Sequence, residues 1–169
     1  DARIRMMPLL PAHVHDAYVD GRGLLHGALH GAVTVMEMDQ TPELDRGEFL
    51  RYVAESAWYP TALLPSQGAE WHAVDDTSAR VTLSDGALSE TMLVRFNDQN
   101  LIESVYVEAR GAEVDGELVP TPWEGRWWSY TRHDGMMVPA EGEVAWLYPE
   151  GRKPYWRGRI EEFRYGFGE

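Results

Sequence analysis

The chain has 169 residues, 15 Lys and Arg against 28 Asp and Glu, and a formal net charge of −13. That length suits one domain, burying roughly two-thirds of the surface its unfolded form exposes. The charge argues against a protein that tracks nucleic-acid phosphates, which needs clustered Lys and Arg to displace counterions. The absence of cysteine excludes disulfides, thiolate nucleophiles and Cys-based zinc sites. No run approaches the roughly 20 apolar residues that span a bilayer. The N-terminus carries no signal-peptide pattern either, so the chain reads as soluble and, for want of an address, cytoplasmic.

The alternation Ile4, Met6 begins almost at the first residue, Asp1. It predicts an edge strand whose open backbone invites self-association, in a single domain (1–169) that forms the C-terminal part of a longer protein. A hairpin follows around DGRG (20–23), with Val14, Tyr18, Leu25, Leu29 and Val33 expected on its core face. His13, His15, His26 and His30 share the other face if the loop has two or four residues, and would then offer imidazoles to a transition metal. A three-residue loop or a bulge separates the pairs. No compact ligand motif accompanies them, so no metal and no cofactor are expected.

From Asp45 to Trp58 the apolar residues fall at Phe49, Val53 and Ala57, with Leu50, Ala54 and Trp58 beside them, which predicts a helix over about 45–58. Asp45 with Glu48 forms a capping-box pattern, Thr41 before Pro42 offers an earlier start, and Pro60 ends the helix. Arg51 and Glu55 stand at i, i+4 as a local ion pair. The stretch YPTALLP (59–65) then places apolar residues where turns are usually polar. Pro60 and Pro65 leave few backbone donors to satisfy there, so Leu63 and Leu64 are expected to be buried against Trp71 or the rings of 123–128.

Beyond it, SDG (84–86), NDQN (97–100), VDGE (114–117), HDG (133–135) and PEG (149–151) punctuate segments of period two. Val81 and Leu83 form one such set; Met92, Val94 and Phe96 another; Val105 and Val107, then Val144, Trp146 and Tyr148, complete them. The fold expected is mainly β (α+β): a curved antiparallel meander or half-barrel of about eight or nine strands with the one helix packed on it. The stretch 111–125 reads as a hairpin tip followed by a long loop.

WYPTALLPS (58–66), PTPWEGRWWSY (120–130), GMMVPAEGEVAW (135–146) and PYWRGRIEEFRY (154–165) together resemble an uncharacterised bacterial family, a domain of unknown function. That family carries W-[FY]-P-T-A-L-L-P and P-T-P-W-x-G motifs. The resemblance runs through the whole chain and implies members that extend about one domain further on the N-terminal side. It implies no activity. The architecture is also similar to the half-barrels of lipoprotein carriers, a likeness that does not itself carry function.

Three functional readings stand side by side. Trp58, Tyr59, Leu63, Leu64, Trp71, Trp123, Arg126, Trp127 and Trp128 either fill the space between helix and sheet or line a pocket for an apolar small molecule or lipid. Noncatalytic binding of such a molecule is the preferred function. An enzyme would instead use Glu55, Glu108, Arg110 or Arg126 in that aromatic setting, with Glu108 and Arg110 sharing a strand face because they flank Ala109. A third reading is a protein-interaction module presenting an aromatic loop. No nucleophile elbow, Walker loop or dinucleotide fingerprint is present.

Overall fold

A computed structural model describes residues 2–6, 12–19, 21–29, 33–37, 41–114 and 117–165. Strands dominate these residues: β1 (Ala2–Met6), β2 (Ala12–Val19), β3 (Arg22–Leu29) and β4 (Val33–Glu37) precede helix α1 (Pro42–Glu55). After three short 3-10 turns come β5 (Glu70–Asp75), β6 (Ser78–Asp85), β7 (Leu88–Phe96), β8 (Ile102–Val114), β9 (Glu117–His133), β10 (Met136–Tyr148) and β11 (Gly151–Arg159). The eleven strands form two meanders, a four-stranded sheet of β1 to β4 and an open seven-stranded sheet of β5 to β11, each in chain order. The expected mainly-β meander with one helix is therefore present, with more strands than the turn count implied and a second sheet. No helix among the described residues is long and apolar enough to cross a membrane.

Two compact units divide the chain, Asp1–Val53 with Ser84–Glu90, and Ala54–Leu83 with Thr91–Glu169. In the first, β2 and β3 are joined in the register of a two-residue loop, with Val19 opposite Arg22 and His15 opposite His26. That is one of the registers under which the histidines would share a face, but their side chains, and His30 altogether, lie outside the described residues. β1, carrying Ile4 and Met6, is the outer strand of its sheet, as its early alternation implied. Tyr18 faces the core, its ring centroid 5.2 Å from that of Phe49.

The helix starts at Pro42, because Thr41 caps it: the Thr41 Oγ1 accepts the Leu44 amide at 3.1 Å, and proline at the first helical position sacrifices no bond. Asp45 is not the cap; its carboxylate accepts the Gly23 amide of β3 at 2.7 Å. The approach is so close there that a Cβ on Gly23 would lie 2.8 Å from the Leu44 carbonyl oxygen. Farther along, Arg51 donates to Glu48 at 2.7 Å, at spacing i, i+3. The α-helical pattern stops at Glu55, and Ser56–Trp58 continues as a 3-10 turn before Pro60.

In the second unit, alternation sets one face of the large sheet. Val81 and Leu83, Met92 and Val94, Val105 and Val107, and Trp123, Gly125 and Trp127 are all buried, while the residues that alternate with them are more exposed. Each fully buried aliphatic contributes on the order of 1.5–3 kcal/mol, so this face is the principal core of the unit. The expected long loop within 111–125 is not there. β9 runs unbroken from Glu117, since Pro120 and Pro122 precede Trp123, the first β9 residue that pairs with β10, and there the strand bonds on one side only.

Candidate functional site

The aromatic half of that buried face is built by β9, β10 and β11. Trp127 pairs with Gly142, Gly125 with Val144, and Val144 with Trp156, which aligns the indoles of positions 127 and 156 on one side of the sheet. Glycine makes the layer possible: a Cβ at Gly142 would lie 2.4 Å from the Trp127 ring, and one at Gly158 would lie 2.4 Å from the Trp156 ring. Trp58, from the turn after the helix, closes the layer. Its ring meets Trp127 edge-on at 4.6 Å and Trp156 at 6.1 Å. Its indole N–H donates to the Pro139 carbonyl at 3.1 Å, and its own carbonyl accepts the Tyr165 hydroxyl at 2.5 Å. Trp127 is buried, and its indole N–H has no acceptor among the described residues.

The apolar stretch after the helix crosses the sheet, held at β10 by Trp58 and at β5 by Trp71, whose indole N–H donates to the Leu63 carbonyl at 2.9 Å. Leu63 is buried, but Leu64 is 48 % exposed, contrary to expectation. The reason is conformational. Leu64 is the extended joint (φ −73°, ψ 141°) between the turns Pro60–Leu63 and Pro65–Gln67, so its side chain leaves the side that Leu63 occupies. Tyr59 is half-buried.

The remaining candidates divide by face. Arg126 and Trp128 alternate with Trp127 and stand on the opposite side of β9. Arg126 is exposed and donates to Glu124 at 2.8 Å, and Glu124 also accepts from Arg152 at 2.7 Å, while Arg152 reaches Glu143 as well. The Trp128 indole donates to Glu141 at 3.0 Å, with the Arg157 guanidinium 5.2 Å from its ring. Arg126 therefore belongs to an ion network rather than to the tryptophan layer.

Glu108 and Arg110 do not share a face. Val107 pairs with Trp123 but Arg110 pairs with Thr121, a one-residue shift that marks a bulge between them and reverses the alternation. Glu108 is exposed, whereas Arg110 joins the side of Trp123 and the buried Ala112. Its guanidinium lies 5.1 Å from the Trp123 ring and 5.8 Å from the Trp146 ring, and donates to the Tyr155 hydroxyl at 3.2 Å. That hydroxyl also accepts the Trp123 indole N–H at 2.9 Å. The bulge carries no signal in the sequence, and Tyr155 and Trp156, which complete these two clusters, lie on a strand read only as part of a motif.

Of the residues of the enzyme reading, Glu108 and Arg110 thus stand on opposite faces of the large sheet, and Arg126 is paired with Glu124. Among the described residues no group of three or more His, Cys, Asp or Glu is placed to hold a metal ion. In the first unit, a groove of about 470 Å³ at the helix start is lined by Thr41, Asp45, Asp85 and Leu88 among others. The Tyr18 hydroxyl donates to Asp85 at 2.9 Å.

Neither a curated protein nor a solved structure matches the chain. Residues 1–165 match the model of the family of unknown function DUF6920, and the chain belongs to that family.

Proposed function

We propose that the domain binds an apolar small molecule or lipid noncatalytically, between the Trp58 segment and the tryptophan layer of the large sheet. The observation that carries this reading is Trp127, whose buried indole N–H lacks an acceptor among the described residues. A buried donor left unmade costs about 1–3 kcal/mol, and buried tryptophans normally find a partner. A ligand with an apolar body and one carbonyl or hydroxyl oxygen, entering beside half-buried Trp58 and Trp156, would supply both the contacts and the acceptor.

Native mass spectrometry after gentle extraction, with palmitate and a long-chain alcohol as added probes, tests the reading. A retained apolar adduct and saturable quenching of tryptophan fluorescence are expected, with retention in Trp127→Phe weakened by more than its loss of stability accounts for. A clean apo mass together with no response to either probe overturns it.

A second reading, an interaction module, draws on Val114, Leu118 and Val119, which are 41–47 % exposed near the end of the β8–β9 hairpin. Pairing through the outer strand β1 would also bring copies together. Light scattering that reports a strict monomer at high concentration counts against both contacts as self-association surfaces.

A further inference from the structure

The cluster around Arg110 has a hydrogen-bond arrangement that its own residues leave incomplete. The Tyr155 hydroxyl accepts two bonds, from the Trp123 indole and from Arg110 Nη1. A phenol has one proton to give, and with its lone pairs occupied by donors that proton must find an acceptor elsewhere. None of the described residues provides one. Arg110 spends one of its five N–H donors on Tyr155 and has no carboxylate within ion-pair distance among the described residues. The guanidinium is instead steadied by the Trp123 and Trp146 rings.

Position opens these donors to a ligand. Tyr155 is the extra residue of a bulge in β11, since Trp156 pairs with Val144 and Pro154 with Ala145. One face of its ring stacks on Trp146 at 5.6 Å and 18°, yet the residue is 52 % exposed, which leaves the other face free. A fixed guanidinium fork, a phenol proton and an open aromatic face therefore meet at one place, with no acceptor of their own.

We propose that Arg110 and Tyr155 bind the carboxylate of a small organic acid, whose planar oxygens take N–H and O–H donors while its apolar body rests on the free face of Tyr155. The site does not rest on the Trp58–Trp127 reading. It lies about four residues along β9 from Trp127 and needs neither its ring nor its N–H.

The test uses the 169-residue chain and the indole N–H resonance of Trp123, which is bonded directly to Tyr155. Benzoate should shift that resonance saturably, benzamide should not, and inorganic phosphate should shift it far less. Tyr155→Phe keeps the Trp146 stacking and is expected to weaken benzoate about tenfold. Arg110→Gln should weaken it about 10- to 100-fold, the range of a charge-assisted hydrogen bond. Equal response to benzamide, equal response to phosphate, or a Tyr155→Phe protein that binds benzoate as wild type would each overturn the assignment. If Arg110→Gln fails to fold, the Tyr155→Phe comparison decides alone.

Discussion

Gly142→Ala separates a packed tryptophan layer from a loose one. In most strands this change is mildly favourable, by about 0.4–1 kcal/mol, because alanine restricts the unfolded chain. Here the added Cβ would lie 2.4 Å from Cε3 and Cζ3 of Trp127. Ordinary carbon contacts fall near 3.5–4.0 Å, so ring or strand must move by about 1 Å or more. The ring has little room, with Trp58 against it at 4.6 Å and only 3 % of the residue exposed. Overpacking of this kind costs about 1–3 kcal/mol, which outweighs the alanine gain. Urea denaturation should therefore show a net loss of about 1–2 kcal/mol, with altered near-ultraviolet circular dichroism from the indoles. Gly111→Ala is the control, since its Cβ would meet only Leu118 at 3.6 Å, and it should be neutral or stabilising. A Gly142→Ala protein as stable as Gly111→Ala, with an unchanged aromatic spectrum, would refute the reasoning.

Leu63→Ala should cost about 2–5 kcal/mol as a core truncation, and Leu64→Ala less than about 0.5 kcal/mol, because only Leu63 is buried; equal losses in thermal or urea denaturation would contradict the placement. Arg152→Met should lose about 1–3 kcal/mol by leaving Glu124 and Glu143 without their shared cation, and Glu143→Gln in that background should recover part of it. The loss should shrink in high salt. Tyr130 donates to the Ile102 carbonyl at 2.5 Å, and burial pushes its phenol well above the usual tyrosine range. Its stabilisation is therefore complete below about pH 10, where the unfolded phenol is still protonated, and declines as pH rises further. Tyr130→Phe should flatten that alkaline slope in pH-dependent denaturation, and an unchanged slope would assign the loss to other groups.

Local rules settled much of this molecule. The period-two runs at Val81 and Leu83, Met92 and Val94, and Val105 and Val107 place buried residues where the structure has them, because alternation on a strand is fixed by backbone geometry alone. Thr41 and Pro42 start the helix, and Pro60 holds Tyr59 out of the helical region past the 3-10 turn, for equally local reasons. Tertiary structure decided what depends on a neighbouring strand. Neither Pro120 nor Pro122 reveals from its own chemistry that β9 lacks a second partner there and can tolerate proline. The bulge at 108–109 is a mismatch between β8 and β9, so Glu108 and Arg110 part ways although nothing between them announces it. Arg126 and Trp127, adjacent in the chain, divide between an ion network and the indole layer because a strand turns successive side chains to opposite faces, and the partners waiting on each face come from residues far along the chain.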